Sequence, residues 1–168
     1  MMHIFTSRMV FLLIATVSLG FFIPELEAVS NRHSGLRYLP EMIFAVYAAA
    51  YIYLTLLSRN EIDVPYATGV ELRPFSAVRR ALRSGSVMPV RGIILNILLF
   101  IPMGYLLPLV FRKVRKHTVI DVVLLCFLIS LATETLQLIF RVGWFDVDDI
   151  INNTIGALTG ALIWRVRS

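Results

Sequence analysis

The chain has 168 residues, room for one domain, and its 58% hydrophobic content and mean hydropathy of +0.78 exceed the roughly half-apolar composition of a soluble domain. The net charge of +5 and pI near 9.8 accompany no zinc-finger spacing, helix-turn-helix pattern or RNA-binding aromatic motif. Nucleic acid is therefore set aside, and basic loops are better explained by membrane topology and anionic headgroups. The single cysteine, Cys126, sits in an apolar run, which excludes an internal disulfide and a cysteine metal cluster.

Arg8 precedes a first apolar segment at about residues 9–24, which ends at Pro24, Glu25 and Glu27. A short hydrophobic core behind a cation resembles a signal peptide. Leu26-Glu27-Ala28 is a poor cleavage site, however, so a retained helix is expected. After a polar loop, Met42–Leu57 forms the second span, with Tyr47, Tyr51 and Tyr53 as interface or packing aromatics. Residues 58–91 form the longest non-spanning stretch, with six arginines against three acids. Within it, Ser76–Arg83 (SAVRRALR) reads either as a basic amphipathic turn or two on the membrane surface, with Ala77, Val78, Ala81 and Leu82 towards lipid, or as a solvated loop.

The third span, Gly92–Phe111, contains Asn96, Pro102, Gly104 and Pro108. A kink at Pro102/Pro108 or a locally broken helix follows from the missing N–H groups. RKVRKH packs four positive charges into six residues before the fourth span, Thr118–Phe140. The fifth, Ile150–Trp164, is the shortest and is followed by Arg165 and Arg167. The expected fold is all-α: a polytopic transmembrane bundle of about five spans, residues 1–168 forming one membrane domain.

With five spans, Lys and Arg divide eight to eight between the two sides. The dense short loop and the C-terminal tail weigh most under the positive-inside rule. They place the C-terminus in the cytoplasm.

The polar residues concentrate between Ser130 and Gly160. Ser130, Glu134, Gln137 and Arg141 are spaced i, i+4, i+7, i+11, a stripe about 60° wide on one helix face. Asp149, Asn153, Gly156 and Gly160 repeat those offsets on the next helix. Asn96, Glu134 and Asn153 lie near helix ends on the same side, each roughly 6–10 Å below that surface, so they can meet in one site. Under the chosen orientation it opens outward, beneath the Pro74/Phe75 loop.

Glu134 is the most informative residue, because a carboxylate in a spanning helix costs about 2.5–3.5 kcal/mol and marks either function or interhelical glue. It is the candidate acid/base. Arg141, at the boundary, suits a pairing with Asp146 or Asp149, a lipid phosphate, or plain snorkelling. Asp146, Asp148 and Asp149 are one candidate set for a divalent cation, with Asp146 and Asp149 as the ligands; no other cofactor is expected. His3, His33 and His117 lie outside this cluster. Gly156 and Gly160 form a GxxxG pair for close packing against the third or fourth span, with Gly104 as a further packing position.

Read together, NILLFIPMGYLLPLVF, SLATETLQL and RVGWFDVDDIINNTIGA resemble the VanZ-like family of bacterial membrane proteins. The resemblance covers about residues 45–164, so the first span at about 9–24 is additional to it. The family pattern falls on Asn96, Pro102, Gly104, Glu134, Gln137, Arg141, Asp146, Asp149, Asn153 and Gly156. Pro74-Phe75 matches a family Pro-Phe pair, although Glu71-Leu72-Arg73 replaces the usual Asn-Leu-x before it. The resemblance implies a plasma-membrane, cell-envelope role and resistance to the lipoglycopeptide teicoplanin, and supplies no reaction.

Three function classes fit these residues. The first is a non-catalytic envelope protein that binds membrane lipid, a lipid-linked wall precursor or an amphiphilic antibiotic through Asn96, Glu134, Gln137, Arg141, Asp146, Asp149 and Asn153. The second is an intramembrane enzyme acting on a lipid phosphate, with Glu134, Arg141 and Asp149 as catalytic candidates. The third is a small proton-coupled transporter titrating Glu134, for which one repeat-free copy is a poor frame.

Overall fold

The computed structural model describes residues 38–57, 69–111 and 118–167. The expected first span at about residues 9–24 and the RKVRKH loop lie outside them. Helix α1 (Leu39–Ile52) continues into a wider π-helical turn, Tyr53–Leu57. A two-residue strand β1 (Val70–Glu71) leads to the short helix α2 (Ser76–Ser84), then α3 (Met88–Val110) and α4 (Val119–Ile139). Strand β2 (Phe145–Asp146) runs directly into α5 (Val147–Arg167).

Among the described residues, three helical stretches are long and apolar enough to cross a membrane: Leu39–Leu57, Met88–Val110 and Val119–Ile139. α5 has the same 21 residues as α4, but the polar residues of its first half keep it out of that class. It also begins earlier than the sequence suggests. Asp148 and Asp149 therefore sit in its first turn, where carboxylates oppose the positive end of the helix dipole.

The helix ends follow from local chemistry. Pro40 opens α1, where its missing N–H is harmless. The Thr118 amide donates to the Asp121 carboxylate at 2.8 Å, fixing the start of α4 by the reciprocal half of a capping box. Gly85, with φ of 62°, ends α2 in the left-handed conformation that glycine adopts freely. At Pro102 and Pro108 the break allowed by the sequence does not occur, and α3 runs on through both. Pro102 cannot donate to Leu98, and the Tyr47 hydroxyl of α1 donates to the adjacent Leu99 carbonyl at 2.7 Å, a neighbour's support for a disturbed backbone.

Helices α3 and α5 run parallel in close contact. A Cβ built on Gly156 would strike the Ile97 carbonyl, one on Gly160 the Ile101 carbonyl, and one on Gly104 the Ala157 carbonyl. Small residues let the two backbones touch without large side chains between them. Helix α1 is antiparallel to α3 and lies beside α4, with Tyr51 edge-on to Phe100 at a centroid distance of 5.7 Å. The core collects Phe100, Leu106, Leu107, Val122, Cys126, Ala157 and Ala161. The end of α1 and of α4 and the start of α3 and of α5 consequently share one end of the bundle.

Candidate functional site

Polar side chains cross the bundle near that shared end. Tyr51 and Thr133 exchange a hydroxyl hydrogen bond of 2.7 Å between α1 and α4. One turn further on, the Gln137 amide donates to the Thr55 carbonyl at 3.1 Å, within the π-helical turn. Between α4 and α5 the Asn153 amide donates to the Ser130 hydroxyl at 2.8 Å. Asn153 is buried, and its Oδ1 has no hydrogen-bond partner among the described residues.

Glu134 is also buried, and its Oε2 accepts the Asp146 amide at 3.1 Å. The carboxylate thus reaches from α4 to the strand that opens α5. That strand is held from its other side: β1 and β2 pair in parallel, Val70 opposite Phe145 and Glu71 opposite Asp146. The Phe145 amide donates to the Gly69 carbonyl, and Gly69 lies so close to the Trp144 ring that a Cβ there would clash.

The acidic triplet separates in space. Asp148 is buried and turns to α2, accepting from the Phe75 amide, the Ser76 hydroxyl and the Ala77 amide. Phe75 occupies the N-cap position with φ of 60° and offers no polar cap of its own. A carboxylate from more than 70 residues away satisfies the orphan amides instead. Asp146 accepts the Asp148 amide through Oδ1 at 2.9 Å and lies 3.8 Å from Arg80 through Oδ2. Burial pushes the Asp146 carboxyl above the ordinary aspartate range; the Asp148 amide opposes that rise, and the Asp148 charge adds to it. Asp149 is half-buried in the same turn. Among the described residues no three His, Cys, Asp or Glu side chains are grouped so that they could hold a metal ion.

Arg141 is exposed and enters no ion pair among the described residues, so neither Asp146 nor Asp149 takes it as a salt-bridge partner. The cation next to Asp146 is Arg80. Arg141 ends α4 with φ of 56°, its amide donating to Leu138 and the Val142 amide to Gln137. This is a Schellman ending with arginine at the position where glycine is usual. Asn96 is half-buried on α3, next to the Ile97 carbonyl that Gly156 meets. Ala77 faces the protein and not lipid, because its burial completes the docking of α2.

Sequence reasoning placed Asp148 only in a candidate cation set and Ser76 and Arg80 only in a basic surface segment, and did not pair the two regions. The available signal was a helix opening on Pro-Phe with no polar residue at its cap, which has to find an acceptor elsewhere.

These features define a helical integral membrane protein with a polar, cross-braced end. The chain belongs to the VanZ/LLP1 family, whose model matches residues 44–168. It is 31% identical over 126 residues to Protein VanZ of Enterococcus faecium, an alignment covering 73% of this chain and 71% of that one. No solved structure matches it significantly.

Proposed function

We propose that the protein is a bacterial plasma-membrane component that binds an amphiphilic envelope molecule at its polar end and so contributes to teicoplanin resistance. The bound molecule is a lipid-linked wall precursor or the lipoglycopeptide itself. In this reading the N-terminal segment and α5 complete five spans, the C-terminus is cytoplasmic, and the site opens outward. Asn96, Glu134, Gln137, Asp146, Asp149 and Asn153 contribute its polar wall, and Arg141 stands at its mouth.

The observation that carries the reading is the buried Asn153 Oδ1, an acceptor without a donor, beside Ser130 on the α4 face that also bears Glu134. Leaving such an atom unpaired costs about 1–3 kcal/mol, a cost that a ligand hydroxyl or amide removes. The family relationship to Protein VanZ supports the envelope setting.

The test is survival on teicoplanin at matched membrane expression. Glu134→Ala and Arg141→Ala each lower resistance. Unchanged resistance in both variants overturns the reading.

A further inference from the structure

The basic helix α2 has three distinct faces. At about 100° per residue, Ala77 and Ala81 share one face, Val78 and Leu82 a second, and Arg79, Arg80 and Arg83 a third. The structure places each face differently. Ala77 is buried against the protein, where α2 packs on α3. Val78 and Leu82 are exposed, Leu82 at 81%. The three arginines are exposed as well.

Among the described residues their charge is poorly compensated. The Asp148 carboxylate is turned to the amides and hydroxyl at the start of α2, Glu71 is taken by Arg73, and Asp146 stands 3.8 Å from Arg80. Among the described residues Arg79 and Arg83 have no ion pair. The helix also sits at the end of the bundle where α1 and α4 finish and α3 begins, which is the level of a membrane boundary. Exposed Phe75 and Leu72 continue its apolar side.

We propose that α2 is an interfacial lipid-binding helix whose Arg79 and Arg83 take the phosphates of anionic phospholipid headgroups while Val78 and Leu82 enter the acyl boundary, Arg80 staying with Ser76 and Asp146. Guanidinium groups bind phosphate oxygens in forked pairs, and a neighbouring apolar pair selects a phosphate on a membrane surface over one in solution. The docking through Asp148 holds the cationic face in a fixed orientation to the bundle. This inference does not rest on the resistance reading, since it is tested at Arg79 and Arg83, which are not among the residues of that site, and with an ordinary membrane constituent.

The test uses the full chain in phosphatidylcholine nanodiscs, titrated with phosphatidylglycerol, with thermal stability and lipid retention by native mass spectrometry as readouts. The wild type gains stability with phosphatidylglycerol and retains it selectively. Arg79→Gln/Arg83→Gln, which alters exposed side chains only, binds it about thirtyfold more weakly. Arg165→Gln/Arg167→Gln, at the opposite end of α5, serves as the charge-matched control and keeps the response. Equal retention of phosphatidylcholine and phosphatidylglycerol overturns the proposal, as does an unchanged response in the Arg79/Arg83 variant. Inorganic phosphate that reproduces the stabilisation at the same concentration also overturns it, in favour of a soluble-anion site.

Discussion

The Asp148 carboxylate of α5 lies 2.8 Å from the Ala77 amide at the start of α2, so a helix separated from α5 by two spans is capped by it. The same group accepts from the Ser76 hydroxyl and the Phe75 amide, and these bonds hold Phe75 in its left-handed conformation. Asp148→Ala should therefore free the whole segment at once. The loss should be about 1–3 kcal/mol, read as a lower Tm in detergent, together with faster tryptic cleavage after the α2 arginines. Asp148→Asn, which keeps an acceptor oxygen, should lose less. Unchanged cleavage in Asp148→Ala would show that α2 is held by other means.

The α3–α5 interface predicts opposite outcomes for chemically identical changes. Gly156→Ala and Gly160→Ala drive a methyl into the Ile97 and Ile101 carbonyls, backbone that cannot step aside without separating the helices. Each should cost about 1–3 kcal/mol. Gly92→Ala, on the partner helix α3, adds its methyl to open space. There the gain in helix propensity should stabilise by about 0.5–1 kcal/mol. Thermal unfolding of the three variants side by side checks the sign in each case.

The sequence disclosed the bundle because apolar runs, prolines and charge clusters are local features. The second, third and fourth expected spans fall on α1 with its π-helical turn, α3 and α4, with boundaries shifted by a few residues. Spacing likewise puts Ser130 and Glu134 on one face, and both are buried on α4. What could not be read were the pairings. Asp146, Asp148 and Asp149 look equivalent in the sequence, yet one braces Arg80, one caps α2 and one stays at the helix start. Which carboxylate goes where is decided by the parallel β1–β2 contact, a long-range bridge of two residues with no periodicity to announce it. For Arg141 the sequence leaves an acidic partner, a lipid phosphate and snorkelling open; among the described residues the acidic pairing is not made, and its left-handed backbone takes the chain through a Schellman ending.

Asp146 should give stability a pH dependence. Burial raises its folded-state pKa, so the folded protein favours the protonated carboxyl. That contribution is fully present below the ordinary value near 3.8 and is lost as pH rises through the raised folded value. Asp146→Asn removes the titration. Its Tm should gain on that of the wild type as pH rises across this window and then stay at a constant offset. The exposed Arg80 partner adds little to the balance, because a solvent-screened pair at 3.8 Å is weak. Parallel Tm profiles for the two proteins would show that Asp146 titrates normally.

Arg141 separates a structural role from a functional one. An L-residue in the left-handed region costs roughly 1–2 kcal/mol, and glycine avoids most of that cost. At φ of 56°, with its side chain exposed and in no ion pair among the described residues, Arg141 occupies a position that suits glycine better. Arg141→Gly should therefore raise stability by about 0.5–1 kcal/mol, after allowing for the greater freedom of the unfolded chain. If the guanidinium binds the envelope ligand, the same variant should be less protective on teicoplanin despite its higher Tm. Arg141→Lys should keep the strain and recover resistance only in part, because an ammonium lacks the fork that grips phosphate or carboxylate. A stabilised Arg141→Gly protein with full resistance would assign the arginine to neither task.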